Sequence, residues 1–288
     1  MAFFSIITPS FNRAHLLGET IESVLNQKFT DFELIIVDDG STDHTKDLVN
    51  SYKDVRINYI YQQNGERGKA RNTGVKNAIG KYVFFLDSDD KIYTNHLSHA
   101  YLTLEKLGFP EFFRSAYEEI DANGVKKPKV LRPNKILRQI QKQNLFACQF
   151  FLRTDIANLF PFTENRQLAI GEDWELILKL SSRYPINISN TVTSAIIHHN
   201  ERSMAMATPK VILESRDILL KNLTADPSIS SDILSNVFSE LTTLAGLSAA
   251  IKGQNKLAIK YWFLGFRKRP QQLLKRRTIA ILKKTIFN

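Results

Sequence analysis

The sequence has little of what a secreted or membrane-spanning protein needs. It contains one cysteine, Cys148, among 288 residues, so it cannot form an internal disulfide and we expect a reducing compartment. The absence of any run of about 18 apolar residues predicts that no helix spans a bilayer. The first residues, MAFFSIITPSFNR, place no basic residue before a short apolar run, which indicates a first strand and not a signal peptide. These features predict a cytoplasmic protein.

The sequence also lacks a balance of charge, since its formal net charge is +10. Residues 1–204 contain 25 Lys and Arg against 24 Asp and Glu, whereas residues 205–288 contain 14 against 5. The basic excess therefore lies in the C-terminal part. A near-neutral main body without a base-stacking motif argues against nucleic acid as a partner.

Apolar runs alternate with helix-period segments along the first hundred residues, which is typical of an α/β layered domain. Between the first two runs, Leu17, Ile21, Val24 and Leu25 recur at helical spacing and give one face to pack on a sheet. The runs show little alternation of polarity, which favours a mostly parallel central sheet covered on both faces. The strand candidates are FFSII, FELIIV, INYIY and YVFFL.

Acidic residues follow two of these strands directly. FELIIV runs into Asp38 and Asp39, and YVFFL runs into residues 87–90, DSDD. Ligands of such sheets bind beyond the carboxyl ends of the strands, where the two clusters would converge. Converging carboxylates repel each other unless a cation lies between them, and a divalent metal carrying a diphosphate meets that need. The spacing does not match an EF-hand, but each cluster alone is also compatible with ordinary turn or cap residues.

Five segments in a fixed order make the chain resemble the family 2 glycosyltransferases of the GT-A fold. They are TPSFNR, ELIIVDDGSTD, ARNTG, FLDSDD and GEDWEL, within about residues 4–203. The resemblance implies a nucleotide-diphospho-sugar transferase fold with a mostly parallel sheet. It predicts a catalytic domain over residues 1–205 and a basic C-terminal helical extension over residues 206–288.

The resemblance also assigns a donor site. Thr8, Pro9 and Ser10 would line the nucleotide base, and Asp38 would contact the base and ribose. In the family's DxD motif, Asp89 would bind a divalent metal, Mn²⁺ or Mg²⁺, and Asp87 would lie nearer the ribose. For Asp90, the ordinary interpretation is a helix cap. The donor-binding residues by this match are Thr8, Pro9, Ser10, Asp38, Arg71, Asp87, Ser88 and Asp89.

Two cationic residues accompany these acids. Arg71 belongs to NGERGKARNTG, which places more charge in this motif than relatives usually do, so its guanidinium would pair with the donor diphosphate or lie at the surface. His198 and His199 follow a strand-like run. Many relatives place a histidine here near the metal or phosphates, and the phasing favours His199 over His198 for that position. A structural histidine near a strand end is the alternative.

The pair Glu172 and Asp173 begins a helix-period run. Favourable charge near a helix N-terminus is one interpretation. In the resembling family, however, the second acid of an ED pair takes the proton of the acceptor hydroxyl in an inverting displacement, which makes Asp173 the expected general base. Glu172 and Trp174 would lie on the acceptor side.

The C-terminal part predicts helices in ILESRDILLKNL, ILSNVFSELTTLAGLSAAI and LAIKYWFLGF. From Leu273 onward, apolar Leu274, Ile281, Leu282 and Ile286 gather on one helical face, and basic residues gather on the other. Such a helix would lie on an anionic membrane surface, or else pack inward with a solvated basic face.

The sequence therefore predicts an inverting, metal-dependent hexosyltransferase acting for cell-surface polysaccharide or lipopolysaccharide. Its partners would be a nucleotide-sugar donor, with UDP-sugars favoured, a saccharide or lipid-linked saccharide acceptor, and the inner face of the cell membrane. Two alternatives remain: a phosphatase of the haloacid dehalogenase type, which also has an Asp-x-Asp after an apolar strand, and a non-catalytic protein that binds sugar nucleotides.

Overall fold

The computed structural model describes residues 2–129, 132, 135–142, 144, 149–168, 170–199, 207–271 and 276–286. The chain divides into two compact units. The first unit comprises Met1–Ile136, Phe146–Glu164 and Tyr184–His199, and the second comprises Leu137–Leu145, Asn165–Arg183 and Asn200–Asn288. The boundary predicted between residues 205 and 206 stays a prediction.

The first unit contains a nine-stranded sheet in the order β3-β2-β1-β4-β8-β6-β9-β5, with β7 paired to β6. Strands β3, β2, β1 and β4 are mutually parallel, and β6 and β9 form a further parallel pair. The remaining pairs are antiparallel. The strands are β1 Phe4–Ser10, β2 Phe32–Asp38, β3 Ile57–Tyr61, β4 Tyr82–Phe85, β5 Lys91–Ile92, β6 Phe112–Ile120, β7 Lys126–Lys129, β8 Phe151–Arg153 and β9 Asn187–Ile197.

Helices connect and cover these strands, and in the sequence the first boundary between the units falls after Ile136, at the start of α5. In chain order they are α1 Ala14–Leu25, α2 Thr45–Ser51, α3 Glu66–Asn77, α4 His96–Lys106, α5 Ile136–Ile140 and α6 Thr154–Leu159. Helix α1 forms because its apolar positions recur every three or four residues, and Leu17, Ile21 and Val24 are fully buried in the core. Since β1, β2 and β4 are also almost wholly buried, the α/β layering and the four predicted strands are confirmed.

The second unit is helical among its described residues. Its helices are α7 Glu172–Ser181, α8 Pro209–Thr224, α9 Ser231–Ile251, α10 Asn255–Lys268 and α11 Arg276–Ile286. The Thr208 and Ser230 hydroxyls cap α8 and α9 by accepting hydrogen bonds from backbone N–H groups in the first turn. The three predicted C-terminal helices are thereby confirmed.

Helices α9 and α10 pack with their backbones unusually close. A Cβ at Gly265 would lie 2.6 Å from Thr243 Cγ2, and one at Gly246 would lie 3.1 Å from the Ala258 carbonyl oxygen. Helix α11 adds Ile281, which is fully buried against Ala249 and neighbouring residues. Among the described residues, no helix has both the length and the apolar character needed to cross a membrane.

Candidate active site

Three carboxylates cluster where β4 ends. Asp87, Asp89 and Asp90 each offer an oxygen, and the three oxygens lie within 4.8 Å of one another. The cluster lies at the carboxyl edge of the parallel strands, since β4 pairs with β1 and β1 pairs with β2. Three like charges so close repel unless cations compensate them. Carboxylate oxygens are the ligands that hard divalent cations prefer.

Arg71 provides one compensating charge. Its Nη2 lies 2.9 Å from Asp87 Oδ1, and its side chain is only 2% exposed. Its guanidinium also lies over the Phe162 ring, 5.2 Å from the centroid, an arrangement that favours a cation. The alternative of a surface arginine is therefore wrong. Arg71 holds Asp87 from inside the protein.

His199 provides a second polar partner. Its Nε2 lies 2.8 Å from Asp89 Oδ2, and both side chains are largely buried. The chain reaches this position because β9 pairs with β5, the short strand that follows the DSDD segment. Carboxylate oxygens match the ligand chemistry of Mn²⁺ and Mg²⁺, and a neutral imidazole is a common metal ligand. The structure thus brings the predicted metal-side residues into contact, while their function stays a prediction.

Asp90 has a different role from the helix cap expected for it. It is fully buried, it precedes the strand β5 and no helix, and its two oxygens accept hydrogen bonds from Gln149 Nε2 at 3.1 Å and from the Ile197 backbone N–H at 3.1 Å. Its backbone carbonyl accepts a hydrogen bond from the Thr20 hydroxyl. The cap interpretation was wrong because the contacts come from segments far away in sequence. Asp90 joins α1, β9 and the residues before β8.

The second acidic cluster, at the end of β2, is also held by hydrogen bonds. Asp38 accepts from the Tyr59 hydroxyl at 2.6 Å and from the Ser41 N–H at 2.8 Å. Burial, and then the hydrogen bond to Asp38, raise the pKa of Tyr59, which therefore remains a neutral donor. Asp39 accepts from Gln62 Nε2 at 2.6 Å and from the Gly65 N–H at 2.9 Å. These contacts orient the Asp38 carboxylate and make Asp39 the anchor of the loop before α3.

The predicted base-binding turn lies beside Asp38, because Ser10 is paired with it across β1 and β2. The hydroxyl oxygens of Thr8 and Ser10 are buried, and among the described residues neither has a hydrogen-bond partner. Pro9 is half-buried and Ser88 is buried. All four lie at the carboxyl edge of the sheet with the acids, and their contact with a donor stays a prediction.

One residue of this region was missed by sequence reasoning. Asn72, which is 3% exposed, donates from Nδ2 to the Phe162 carbonyl at 2.9 Å and to Glu164 Oε1 at 2.8 Å. Its Oδ1 accepts from the Phe162 N–H at 2.8 Å. One turn earlier, a Cβ at Gly68 would lie 2.4 Å from the Thr163 carbonyl oxygen. Helix α3 is therefore a platform for residues 162–164. The motif ARNTG was the available signal, but its partner is 90 residues away.

The predicted general base lies in the second unit, in the first turn of α7. Gly171 precedes the helix with φ +95, a conformation that glycine adopts without strain. Asn144 Nδ2 lies 2.9 Å from each carboxylate oxygen of Asp173, and Asp173 is half-buried. Glu172 is 4% exposed and Trp174 is 1% exposed. The indole Nε1 donates to the Ile140 carbonyl at 2.8 Å, so any support of the acceptor by Trp174 is indirect.

Comparisons of the sequence agree with this arrangement. The chain matches the sequence model described as Glycosyl transferase family 2 over residues 5–156. A Rickettsia felis protein described as an uncharacterized glycosyltransferase is 36% identical over 186 residues, which are 63% of this chain and 31% of the relative. The poly(ribitol-phosphate) beta-N-acetylglucosaminyltransferase TarP of Staphylococcus aureus is 45% identical over 102 residues, 34% of this chain and 31% of TarP. The chain thus spans about a third of the length of these curated relatives.

Two solved structures resemble the chain over nearly its whole length. Staphylococcus aureus TarS 1-349 in complex with UDP-GlcNAc has a TM-score of 0.64 at 20% identity, covering 94% of this chain and 92% of the TarS chain. The mannosyltransferase PcManGT from Pyrobaculum calidifontis, in complex with GDP-Man and Mn²⁺, has a TM-score of 0.62 at 15% identity, covering 99% and 87%. At these identities the likeness concerns the fold alone, and it confirms the predicted GT-A architecture.

Proposed function

Because the chain belongs to glycosyl transferase family 2, as its match over residues 5–156 shows, we propose that it transfers a sugar from a nucleotide diphosphate to a saccharide acceptor with inversion. The observation that carries this proposal is the contact of Asp87 and Asp89 with Arg71 and His199 at the carboxyl edge of the sheet. The phosphatase alternative does not agree with this family. Cell-surface polysaccharide or lipopolysaccharide is the proposed product, since TarP and TarS are similar to this chain.

The donor would bind across the ends of β1, β2 and β4. Asp38, oriented by its two hydrogen-bond donors, would accept from the base or ribose. The buried hydroxyls of Thr8 and Ser10 would face the base. UDP-sugars are the favoured donors, in keeping with the nucleotide bound to TarS.

Asp89 would hold Mn²⁺ or Mg²⁺, with Asp87 beside it, and the bound ion would supply positive charge that stabilises the departing diphosphate. The donor set fits such an ion, because two partly accessible carboxylates and an imidazole lie together. Arg71 would act by orienting Asp87, since its guanidinium is buried against that carboxylate and the Phe162 ring.

Asp173 would take the proton of the acceptor hydroxyl as general base. Asn144 would orient its carboxylate, because the amide lies at equal distance from both oxygens. Glu172, directly before Asp173, would support the acceptor. A lipid-linked saccharide is the proposed acceptor class, with the enzyme at the inner face of the cell membrane and residues 273–288 near an anionic surface.

A donor-hydrolysis screen tests the donor side of the proposal. We expect hydrolysis of one of the common UDP- or GDP-sugars with Mn²⁺ or Mg²⁺, and its loss in excess chelator or in Asp89→Asn. The melting temperature should rise with added Mn²⁺ in the wild type but not in Asp89→Asn, because a ligand that binds only the folded state stabilises it. Asp31→Asn, an exposed acid elsewhere, is the matched control. Full turnover in excess chelator would refute the metal site.

Asp173→Asn beside Glu172→Gln tests the base. As a helix-end charge, Asp173 would contribute only about 0.3–1 kcal/mol to stability, and its replacement would leave turnover unchanged. As general base, its loss should lower turnover by about 10²–10⁴ with donor affinity nearly unchanged. If the Asp173→Asn variant folds and keeps normal turnover, Asp173 is not the general base. A wild-type protein that binds a donor and turns over none of them would instead favour the non-catalytic alternative.

A further inference from the structure

Helix α10 exposes four large apolar side chains in two pairs. Leu257 and Leu264 are each 38% exposed, Ile259 is 46% exposed and Phe263 is 49% exposed. At about 100° per residue, Ile259 and Phe263 share one side of the helix, and Leu257 and Leu264 share another. The positions between the two pairs are occupied by the exposed basic residues Lys256, Lys260 and Arg267. We call this surface, residues 256, 257, 259, 260, 263, 264 and 267, the α10 face.

The α10 face is the side of the helix that lies opposite the side packed on the neighbouring helices. Ala258 and Gly265, on the opposite side, are buried, and Gly265 has no room for a Cβ against Thr243. Trp262 Nε1 donates to the Thr278 hydroxyl at 3.2 Å. The rotation of α10 about its own axis is therefore fixed by α9 and α11, and the exposed apolar residues cannot turn inward. Large apolar side chains exposed on both sides of a basic stripe indicate an interaction site.

Of the apolar face predicted for the last helix, the two described side chains, Ile281 and Leu282, face the packed side. Ile281 is fully buried in the cluster with Ala249 and Ala258, and Leu282 is half-buried. Leu274 and the side chain of Ile286 lie outside the described part of the chain. Ile279, on another side of α11, is 64% exposed. Among the described residues of the C-terminal part, the exposed large apolar side chains therefore lie mainly on α10 and not on α11.

The charge around the α10 face has one sign. After Glu240 the sequence contains eleven Lys and Arg and no Asp or Glu. Arg269 pairs with Asp232, and Arg277 pairs with Glu240. In the part of the chain that the structure describes, no carboxylate pairs with Lys256, Lys260 or Arg267. Lys283 and Lys284 of α11 are also exposed.

We infer that the α10 face docks on an anionic lipid bilayer. The apolar side chains enter the boundary of the acyl chains, and the lysine stems lie along them with their ammonium groups among the phosphates. A second copy of the chain fits less well, because a two-fold contact through this face would oppose identical positive charges. Docking rests on the membrane placement in the proposed function and assigns it to the α10 face. Vesicle binding is measured without donor or acceptor, so docking and sugar transfer can each fail alone.

Flotation of the full chain with phosphatidylcholine vesicles, with and without phosphatidylglycerol, tests the inference. We expect binding to the anionic vesicles only, weakening as salt rises. Lys256→Gln, Lys260→Gln and Arg267→Gln together should lower the partition coefficient by about 100-fold, because each cation near the surface contributes about a factor of five. Ile259→Ser with Phe263→Ser should lower it by more than ten-fold, an order-of-magnitude figure for two partly inserted side chains.

Matched controls use exposed residues of the first unit. Lys46→Gln, Lys53→Gln and Lys106→Gln together remove the same charge, and Leu102→Ser removes a side chain that is 63% exposed. Neither control should change vesicle binding by more than about two-fold. Since all the changed side chains are exposed, thermal melts should coincide. Equal binding by the α10 variants and controls overturns the inference. Concentration-dependent dimers that the α10 variants abolish, or preferred binding to RNA over vesicles, also overturn it.

Discussion

Replacing Arg71 by methionine should destabilise the protein through Asp87. The guanidinium Nη2 and the carboxylate Oδ1 are 2.9 Å apart, and Arg71 is 2% exposed while Asp87 is 25% exposed. At an effective dielectric constant of about 20, their Coulomb attraction is at most about 6 kcal/mol. Removing one partner of a fully buried pair costs about 3–5 kcal/mol. Because water reaches Asp87, we expect the free energy of unfolding to fall by about 2–3 kcal/mol.

A double-mutant cycle separates the pair from other effects of the substitution. Urea unfolding of the wild type, Arg71→Met, Asp87→Asn and the double variant should give a coupling energy of about 1–2 kcal/mol. The matched control is Lys129 with Glu119, which has the same 2.9 Å separation but side chains that are 44% and 27% exposed. Its cycle, Lys129→Met with Glu119→Gln, should give less than about 1 kcal/mol. Equal coupling energies in the two cycles would show that burial of Arg71 does not strengthen its pair.

Two further predictions concern stability. Asn72→Ala removes two buried hydrogen bonds to Phe162 and one partly buried hydrogen bond to Glu164, and should lower the free energy of unfolding by about 2–4 kcal/mol. In contrast, Asn77→Ala, which removes one exposed bond, should change it by less than about 0.5 kcal/mol; equal effects in urea unfolding would contradict the platform role of α3. Arg183 lowers the pKa of Asp226 to about 2 from 3.8. Because the pKa is lower in the folded protein, the ionised Asp226 stabilises the fold at pH values above its pKa in the unfolded chain. Asp226→Asn should therefore lower the free energy of unfolding by up to about 2 kcal/mol at pH 7. That difference should shrink as the pH falls through 4 towards 2, and a difference independent of pH would refute the assignment.

The fold was predictable from the sequence wherever the signal was local. The four apolar runs became β1 to β4 because each is long enough to fill a strand. Strands β1, β2 and β4 are almost wholly buried, whereas β3, at the edge of the sheet, is partly exposed. The acidic clusters could be placed at the same edge because parallel strands point their carboxyl ends together. The short strand β5 and the antiparallel pairing of β8 have no comparable local signal, since each contains only two or three residues.

The candidate site was predictable in its residue types but not in its contacts. Whether Arg71 lies at the surface or inside depends on Phe162, which is far away in the sequence. Asp90 looks like its neighbour Asp89, yet its oxygens bond to Gln149 and the backbone of Ile197. These distinctions arise when distant segments meet, and neither spacing nor composition encodes them.

The burial of Trp174 and the setting of Trp262 make the protein's own fluorescence a selective reporter. The sequence has two tryptophans, and both lie in the second unit. The indole of Trp174 is enclosed and hydrogen-bonded to Ile140, so its emission should be blue and should report on the start of α7 beside Asp173. Trp262 is stacked on Phe266 at 5.6 Å and should sense a change of solvent at α10. Spectra of Trp174→Phe and Trp262→Phe can therefore follow each helix separately, without a dye or label.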